Sequence, residues 1–293
     1  MEKIAGALVT GLAQGAMIAL VSLGYSMVYG VLRLINFAHS EVFMMAAYIA
    51  LFVIMAFGGE QTHNPILTIA AGTVVAMFAV SILGVVIERV AYRPLRGRGR
   101  GPLTRVTPLV TALGVSVLLQ NLAQLLFTAQ FRPYPHLFPR TRPVIFVTAV
   151  VVMVLLEVIV RRTWFGKAMR ALSSNEEAAR LMGINTSAVI RLTFVVGSSL
   201  AAIGAVLFCL DQSQVYPTMG VIIGTRAFVA AVLGGIGNIT GAMLGGLLLG
   251  VLGELVKLTD YSGGVDILVF LVLILVLLIR PAGLLGTARA EKV

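Results

Sequence analysis

The sequence has few charged residues for its length. Only 12% of its 293 residues are Asp, Glu, Lys or Arg, whereas 59% are apolar and the mean hydropathy is +1.00. A soluble domain has about 25% charged residues, and half of that share cannot cover a water-soluble body of this size. Apolar runs of about twenty residues, the length that crosses a bilayer as a helix, recur along the chain. The composition therefore excludes a soluble enzyme and a disordered chain, and indicates an integral membrane protein.

Cysteine is almost absent as well. The single cysteine, Cys209, lies in an apolar run, so the chain forms no internal disulfide and is not a disulfide-rich secreted scaffold. We expect Cys209 to pack as a small apolar side chain. The first apolar run continues to Leu32, beyond the roughly 7–15 residues of a signal-peptide core, so we expect a span rather than a cleaved leader.

Sequence patterns of catalysis and nucleotide binding are missing. The histidines at 39, 63 and 136 are far apart and form no HExxH pair, and the chain has neither GxxxxGK[ST] nor GxSxG. The glycines of 235–241 differ by one residue from the dinucleotide pattern and have no βαβ unit around them. We therefore expect no enzyme activity, no metal site and no cofactor bound by this chain. An energy source has to come from another subunit or from an ion gradient.

Basic residues exceed acidic ones, with 22 Lys and Arg against 12 Asp and Glu. They gather in short loops between apolar runs, six in 89–105 and six in 161–191, so the positive-inside rule explains them and no nucleic-acid partner is expected. Together with Arg33 and the tail at 280–292, this puts 16 of the 22 on one side. We predict that the N-terminus is outside and the C-terminus is cytoplasmic.

The pattern predicts an all-α, polytopic transmembrane helical bundle that forms one membrane-spanning domain over 1–293. About eight or nine membrane segments are expected, some of them broken or re-entrant. The apolar segments are 4–31, 37–57, 66–87, 106–128, 144–160, 192–210, 221–235, 241–256 and 264–279.

Two regions interrupt these apolar segments. Residues 234–238, Gly-Gly-Ile-Gly-Asn, split 221–256 and leave a first piece shorter than the roughly 20 residues of a span. Polar residues and glycines also interrupt 24–39. Such interruptions indicate broken helices along a transport path. We place five residues along or beside this path, although we expect His39 to bond a neighbouring helix rather than substrate: Asn36, His39, Gly235, Gly237 and Asn238.

Glycines also allow close helix packing, which is the alternative explanation of these patterns. For the GxxxG pairs Gly241/Gly245 and Gly246/Gly250 we favour packing, and for 234–238 a break. In the fourth segment, Gln120, Asn121 and Gln124 are polar and spaced for one helix face. That face either bonds neighbouring helices or lines a wet path, and both possibilities stay open.

Ion-coupled carriers bury charged relay residues. The carboxylates at 88, 157 and 254 lie near predicted span ends, so we expect interfacial structural roles for them, with Glu157 paired to Arg161. This pattern disfavours a secondary transporter.

The basic loop 161–191 contains a predicted short amphipathic helix. Ser174 and Glu177 have capping-box spacing, and Gly183 supplies a left-handed stop. Ala178, Leu181 and Met182 fall on one face between them. We expect this face to dock on a soluble partner. A helix at the lipid interface is the alternative.

Several stretches resemble known permeases. Glu177-Ala-Ala-x-x-x-Gly183 resembles the EAA loop of binding-protein-dependent ABC importers, which docks on the ATPase. On that resemblance the coupling loop comprises Ser174, Glu176, Glu177, Ala178, Ala179, Leu181, Met182 and Gly183. Residues 24–39, 226–246 and 280–286 resemble the H-type permease of the branched-chain amino-acid importers. Ser40 and Thr240 depart from that family, which often has Gly and Pro there.

This resemblance runs from about residue 8 to 286 and implies a five-part machine in the bacterial inner membrane. Its other parts are a sister permease subunit, two ATPase subunits that use the ATP, and a periplasmic or lipid-anchored binding protein. The implied cargo is leucine, isoleucine and valine, with urea or short amides as the alternative. The sequence leaves open whether the permease pair is a homodimer or a heterodimer.

Overall fold

The computed structural model describes residues 2–95, 102–137, 141–259 and 262–286. These residues are helical almost throughout. The helices are α1 (Glu2–Leu32), α2 (His39–Ala56), α3 (Pro65–Ile87), α4 (Pro102–Phe127), α5 (Thr141–Arg162), α6 (Trp164–Ser174), α7 (Glu176–Leu181), α8 (Thr186–Gln212), α9 (Met219–Gly234), α10 (Ile239–Lys257) and α11 (Val265–Ile279).

Shorter elements complete the chain. Helix α3 continues through a π turn, Glu88–Tyr92, into a 3₁₀ turn, Arg93–Leu95, and two further 3₁₀ turns lie at Gly59–Gln61 and Ser262–Gly264. Strands β1 (Arg132–Pro133) and β2 (Gln214–Val215) pair antiparallel, with Arg132 opposite Val215.

The helices match the predicted membrane segments. Among the described residues, seven helices are long and apolar enough to cross a bilayer, and each of the nine predicted segments falls on one helix. Helices α9 and α11 are apolar but have only 16 and 15 residues. At about 1.5 Å per residue they fall short of a hydrocarbon core about 30 Å thick. The predicted all-α polytopic bundle is confirmed.

Small residues let α1 and α10 approach closely at the centre of the bundle. A Cβ on Gly15 would lie 2.8 Å from Leu247 Cα, one on Gly246 would lie 2.5 Å from Ala19 Cα, and one on Gly250 would overlap Gly15. Gly245 packs in the same way against Ala230 of α9. Close backbone approach of this kind holds membrane helices together without a hydrophobic driving force. The packing role expected for the GxxxG pairs is confirmed.

Helix α4 has few contacts with the rest of the chain. Only 17% of its most apolar stretch is buried there, compared with 22% in α3 and 67% in α2. Its contacts are mainly with α2 and with the π turn after α3. Large apolar side chains on its outer side, among them Val117 and Leu125, are exposed.

Hydrogen bonds show which connections lie at the same end of the bundle. Arg33 Nη2 donates to Ser173 O at 2.8 Å, which joins the α1–α2 connection to the end of α6. At the opposite end, His136 N donates to Glu60 Oε1 at 3.1 Å, and His136 Nδ1 lies 3.1 Å from Ser213 Oγ. The order of the predicted membrane spans requires the same grouping of connections at the two ends.

Candidate translocation site and coupling helix

The interruption predicted over 24–39 is shorter than expected. Helix α1 continues through Gly24 and Gly30 to Leu32, so only residues 33–38 are irregular. Arg33 ends the helix in a left-handed conformation, φ 53°. The two glycines serve packing instead, because a Cβ on Gly24 would overlap the His39 ring and Gly30 faces Gly237.

Helices α2 and α9 both begin inside the membrane, beside α1. His39 contacts Gly24, which lies eight residues before the end of α1, a distance of about 12 Å along the helix. Gly224 of α9 lies at the same level, since a Cβ there would be 3.2 Å from Tyr25 Oη and would overlap Ser40. The chain therefore dips back into the bundle after α1, and the N-terminal ends of two helices converge at this depth.

Asn36 and His39 are both buried near this point. Asn36 Oδ1 accepts a hydrogen bond of 3.0 Å from Tyr92 Oη. The His39 ring packs edge-on against Tyr25, with 4.9 Å between ring centroids. Within the described residues its Nε2 has no hydrogen-bond partner, whereas a hydrogen bond to the Val21 backbone connects the ring to the neighbouring helix α1. The placement of both residues along a path stays a prediction.

The predicted break between α9 and α10 is confirmed. Helix α9 ends at Gly234 and α10 begins at Ile239, with Asn238 as its N-cap: Asn238 Oδ1 accepts from Gly241 N at 3.2 Å. Gly235 and Gly237 have φ of 104° and 90°, a region that favours glycine.

Protein groups fill this break. Leu284 N donates to Leu233 O at 2.8 Å and Leu285 N donates to Gly234 O at 3.1 Å, which satisfies carbonyls at the end of α9. Asn238 Nδ2 donates to Leu285 O at 2.8 Å. Irregular backbone at membrane depth is tolerated where protein encloses it, and the segment after α11 provides that enclosure. Whether Gly235, Gly237 and Asn238 also contact substrate stays a prediction.

Sequence reasoning missed the most deeply buried carboxylate. Glu41, in the first turn of α2, has no exposed surface. Its Oε1 accepts from Ser116 Oγ at 3.3 Å and lies 3.5 Å from Ser40 Oγ. Among the described residues its Oε2 has no hydrogen-bond partner. The sequence does contain a sign of this carboxylate, since Glu41 is an acidic residue inside the apolar segment 37–57, two residues after His39.

Two of the carboxylates considered from sequence have the structural roles expected of them. Glu157 pairs with Arg161, as predicted, and accepts from Thr240 Oγ1 at 3.1 Å. Glu254 pairs with Lys257.

The polar residues of α4 divide between two sides of the helix. Ser116 points at α2 through its bond to Glu41, and Gln120 and Gln124 are half-buried. Asn121 is exposed and its Nδ2 donates to Val117 O of the same helix at 2.7 Å. Asn121 therefore lies toward the outside of the bundle, and the two roles considered for this face, bonding a neighbouring helix or lining a path, stay predictions.

The short surface helix predicted over 174–183 is α7, Glu176–Leu181, and its cap differs from the predicted one. Ser174 is the last residue of α6, and Asn175 caps α7 by accepting from Ala178 N at 3.0 Å. The Ser174–Glu177 capping box is wrong, because Asn175 has extended backbone and the side-chain oxygen that the first turn needs. Gly183 has φ 82°, so the left-handed stop is confirmed.

Helix α7 presents an uncovered apolar face next to charged residues. Leu181 and Met182 are 84% and 83% exposed, and Ala178 beside them is also exposed. Ala179 is buried and anchors the helix to the bundle. A pocket of about 630 Å³ adjoins this face; its lining includes Arg93, Glu176 and Arg180. Exposed apolar groups surrounded by polar ones are typical of protein interaction sites.

Comparison with known proteins identifies the family. Residues 7–279 match the family model described as "Branched-chain amino acid transport system / permease component". The chain belongs to this family of permeases. It is a multi-pass membrane component of a transport system and not an enzyme.

Two relatives resemble the permease over nearly its whole length, and a third resembles less than half of it. The high-affinity branched-chain amino acid permease protein BraD of Pseudomonas aeruginosa is 41% identical, over 98% of this chain and 97% of its own. The LivH permease protein of Escherichia coli K12 is 38% identical, over 97% and 96%. The ribose import permease protein RbsC of Haemophilus influenzae is 30% identical over 45% of this chain and 42% of its own.

Proposed function

We propose that this permease forms one part of the translocation path of an importer for leucine, isoleucine and valine. The observation that carries the proposal is the similarity along almost the full chain to two relatives named for branched-chain amino acid transport. The short helix α9 and the broken connection to α10 support it, because such helices build substrate paths in transporters. Asn36, His39, Gly235, Gly237 and Asn238 lie along or beside this path, and Gln120 and Gln124 extend it.

ATP is hydrolysed by a partner subunit, and this chain binds no cofactor of its own. The exposed apolar face of α7 supports the assignment of ATP hydrolysis to a partner subunit, since it offers a docking site outside the membrane. Residues from Ser174 to Gly183 form the coupling loop. The remaining partners are a sister permease, a second ATPase subunit and a substrate-binding protein on the outer side.

Uptake by the complete complex tests this function. Proteoliposomes that contain the permease, its sister subunit and the ATPases, with the binding protein added outside, are expected to accumulate labelled leucine, isoleucine and valine in an ATP-dependent manner. Uptake of urea but of none of these amino acids would contradict the proposed cargo. Leucine uptake that continues without ATPase subunits would contradict the proposed energy source.

The orientation of the permease has its own test. In a Cys209→Ala background, Ser174→Cys and His63→Cys introduce single thiols at exposed positions at opposite ends of the bundle. With the N-terminus outside, a membrane-impermeant thiol reagent is expected to label position 63 in intact cells and position 174 only after lysis. The reverse pattern would overturn the orientation that the basic loops favour.

A further inference from the structure

Glu41 is buried in the membrane-spanning bundle without a charged partner on its free oxygen. A carboxylate in an apolar interior is expensive unless it is paired and hydrogen-bonded. Ser116 satisfies Oε1 only, and Oε2 has no partner within the described residues. Ionisable groups inside membrane segments are rare and mark substrate or ion pathways.

Capping of α9 does not account for this carboxylate. A Cβ on Gly220 would lie 2.9 Å from Glu41 Oε2, so this oxygen faces the first turn of α9. The first N–H groups of a helix lack intrahelical acceptors and attract negative charge. Yet among the described residues no N–H of that turn donates to Oε2. The carboxylate therefore lies beside the helix end without acting as its cap.

A row of polar and aromatic side chains between α2 and α4 runs from Glu41 to the outer end of the bundle. On α2, Glu41, Tyr48 and Phe52 share one side, and on α4, Ser116, Gln120 and Phe127 share the side that faces it. We call these six residues the α2–α4 seam. Its ends are fixed by the Ser116–Glu41 bond and by the stack of Tyr48 on Phe127, with 4.4 Å between centroids. Tyr48 Oη is a second buried group without a partner in the described part of the chain.

The outer end of the seam opens into a pocket of about 570 Å³ that contains both a cation and apolar side chains. Leu51, Phe52, Met55 and Phe131 contribute the apolar surface, and the Arg132 guanidinium carbon lies 5.7 Å from the Phe52 ring centre. Arginine binds carboxylates, and the apolar groups suit a branched aliphatic side chain. The pocket and Glu41 lie about 16 Å apart along α2, which is the 11-residue interval from Glu41 to Phe52.

We infer that Glu41 binds the α-ammonium group of the amino acid in transit, which reaches it from the Arg132 pocket along the α2–α4 seam. The inference rests on the proposed function, because an ammonium group is what distinguishes an amino acid from urea. The cargo's positive charge compensates the buried carboxylate, and its carboxylate suits the N-terminal end of α9.

Glu41→Gln tests the charge alone. Glutamine keeps the shape and an acceptor for Ser116, so a packing role would survive the substitution, whereas ammonium binding would not. In the reconstituted complex we expect leucine uptake to fall by about tenfold or more while the complex still assembles. Glu254→Gln, at a buried carboxyl paired with Lys257 outside the seam, is the matched control and should retain uptake.

The outcomes distinguish a failure of the Glu41 assignment from a failure of the proposed function. If the wild-type complex takes up leucine and Glu41→Gln retains at least half of that rate, the Glu41 assignment is overturned and the proposed function stands. If the wild-type complex takes up no branched-chain amino acid, the proposed function fails, and the Glu41 assignment fails with it.

A thiol at Ser116 decides the question if Glu41→Gln does not assemble. Ser116→Cys in the Cys209→Ala background places the thiol beside Glu41, and we expect L-leucine at high concentration to abolish its labelling by a cationic thiol reagent. Isocaproate, the same carbon skeleton without the ammonium group, should leave labelling unchanged. Protection by both compounds, or by neither, would overturn the assignment.

Discussion

Leu181→Asp in α7 is expected to abolish leucine-stimulated ATP hydrolysis while leaving the permease folded in the membrane. Leu181 is 84% exposed, so its loss removes little packing within this chain. In the docking arrangement that we propose, the ATPase covers the same side chain, and an unpaired carboxylate there would carry a desolvation penalty. We expect the stimulated rate to fall by about tenfold or more. The measurement is ATP hydrolysis by the reconstituted complex with and without leucine-loaded binding protein.

Leu258→Asp is the matched control for this substitution. Leu258 follows α10, is also exposed, and by the predicted orientation faces the outside. The same change of charge there should leave stimulated hydrolysis intact. Normal stimulation in Leu181→Asp would show that the ATPase docks elsewhere.

Gly250→Leu is expected to prevent stable folding of the bundle. A side chain at 250 would overlap the backbone of Gly15, so α1 and α10 would have to separate along the contact that also contains Gly246 and Ala19. Overpacking typically costs about 1–3 kcal/mol and occasionally more, and this site is at the upper end because both contacting atoms are backbone. Thermal unfolding of the detergent-purified permease, followed by size-exclusion chromatography, measures the loss.

Gly6→Leu provides the comparison on the same helix pair. Gly6 lies near the start of α1, and a Cβ there meets no atom within 4 Å. The unfolding temperature of this variant should match that of the wild type. Equal stability of Gly250→Leu would mean that the α1–α10 contact is looser than the close approach described.

The helices and the α9–α10 break could be predicted from sequence because the bilayer imposes them. Backbone groups in hydrocarbon must bond within a helix, so each long apolar run becomes one. Glycines at 234–238 interrupt such a run locally. Gly235 and Gly237 have positive φ angles there, a conformation that favours glycine. These features depend on neighbouring residues along the chain.

Features that depend on packing between distant segments could not be predicted in the same way. The packing of α4 and α9 around Glu41 cannot be predicted from 37–57, where only the position of an acidic residue inside an apolar segment stands out. Spacing pairs Asn121 with Gln124 on α4 but does not show which side of the helix faces the bundle. The cap of α7 differed by one residue, since Ser174 and Asn175 are both good caps and the end of α6 decides between them.

The bond from Arg33 to Ser173 has a mechanical consequence. Ser173 precedes the coupling loop by one residue, and Arg33 begins the connection that leads to His39 and Glu41. In the importer that we propose, a displacement of α7 by the ATPase would therefore reach the start of α2 through this hydrogen bond and through the packing of α6 against α1. The hydrogen bond is exposed, so its own contribution is small because water competes for both groups.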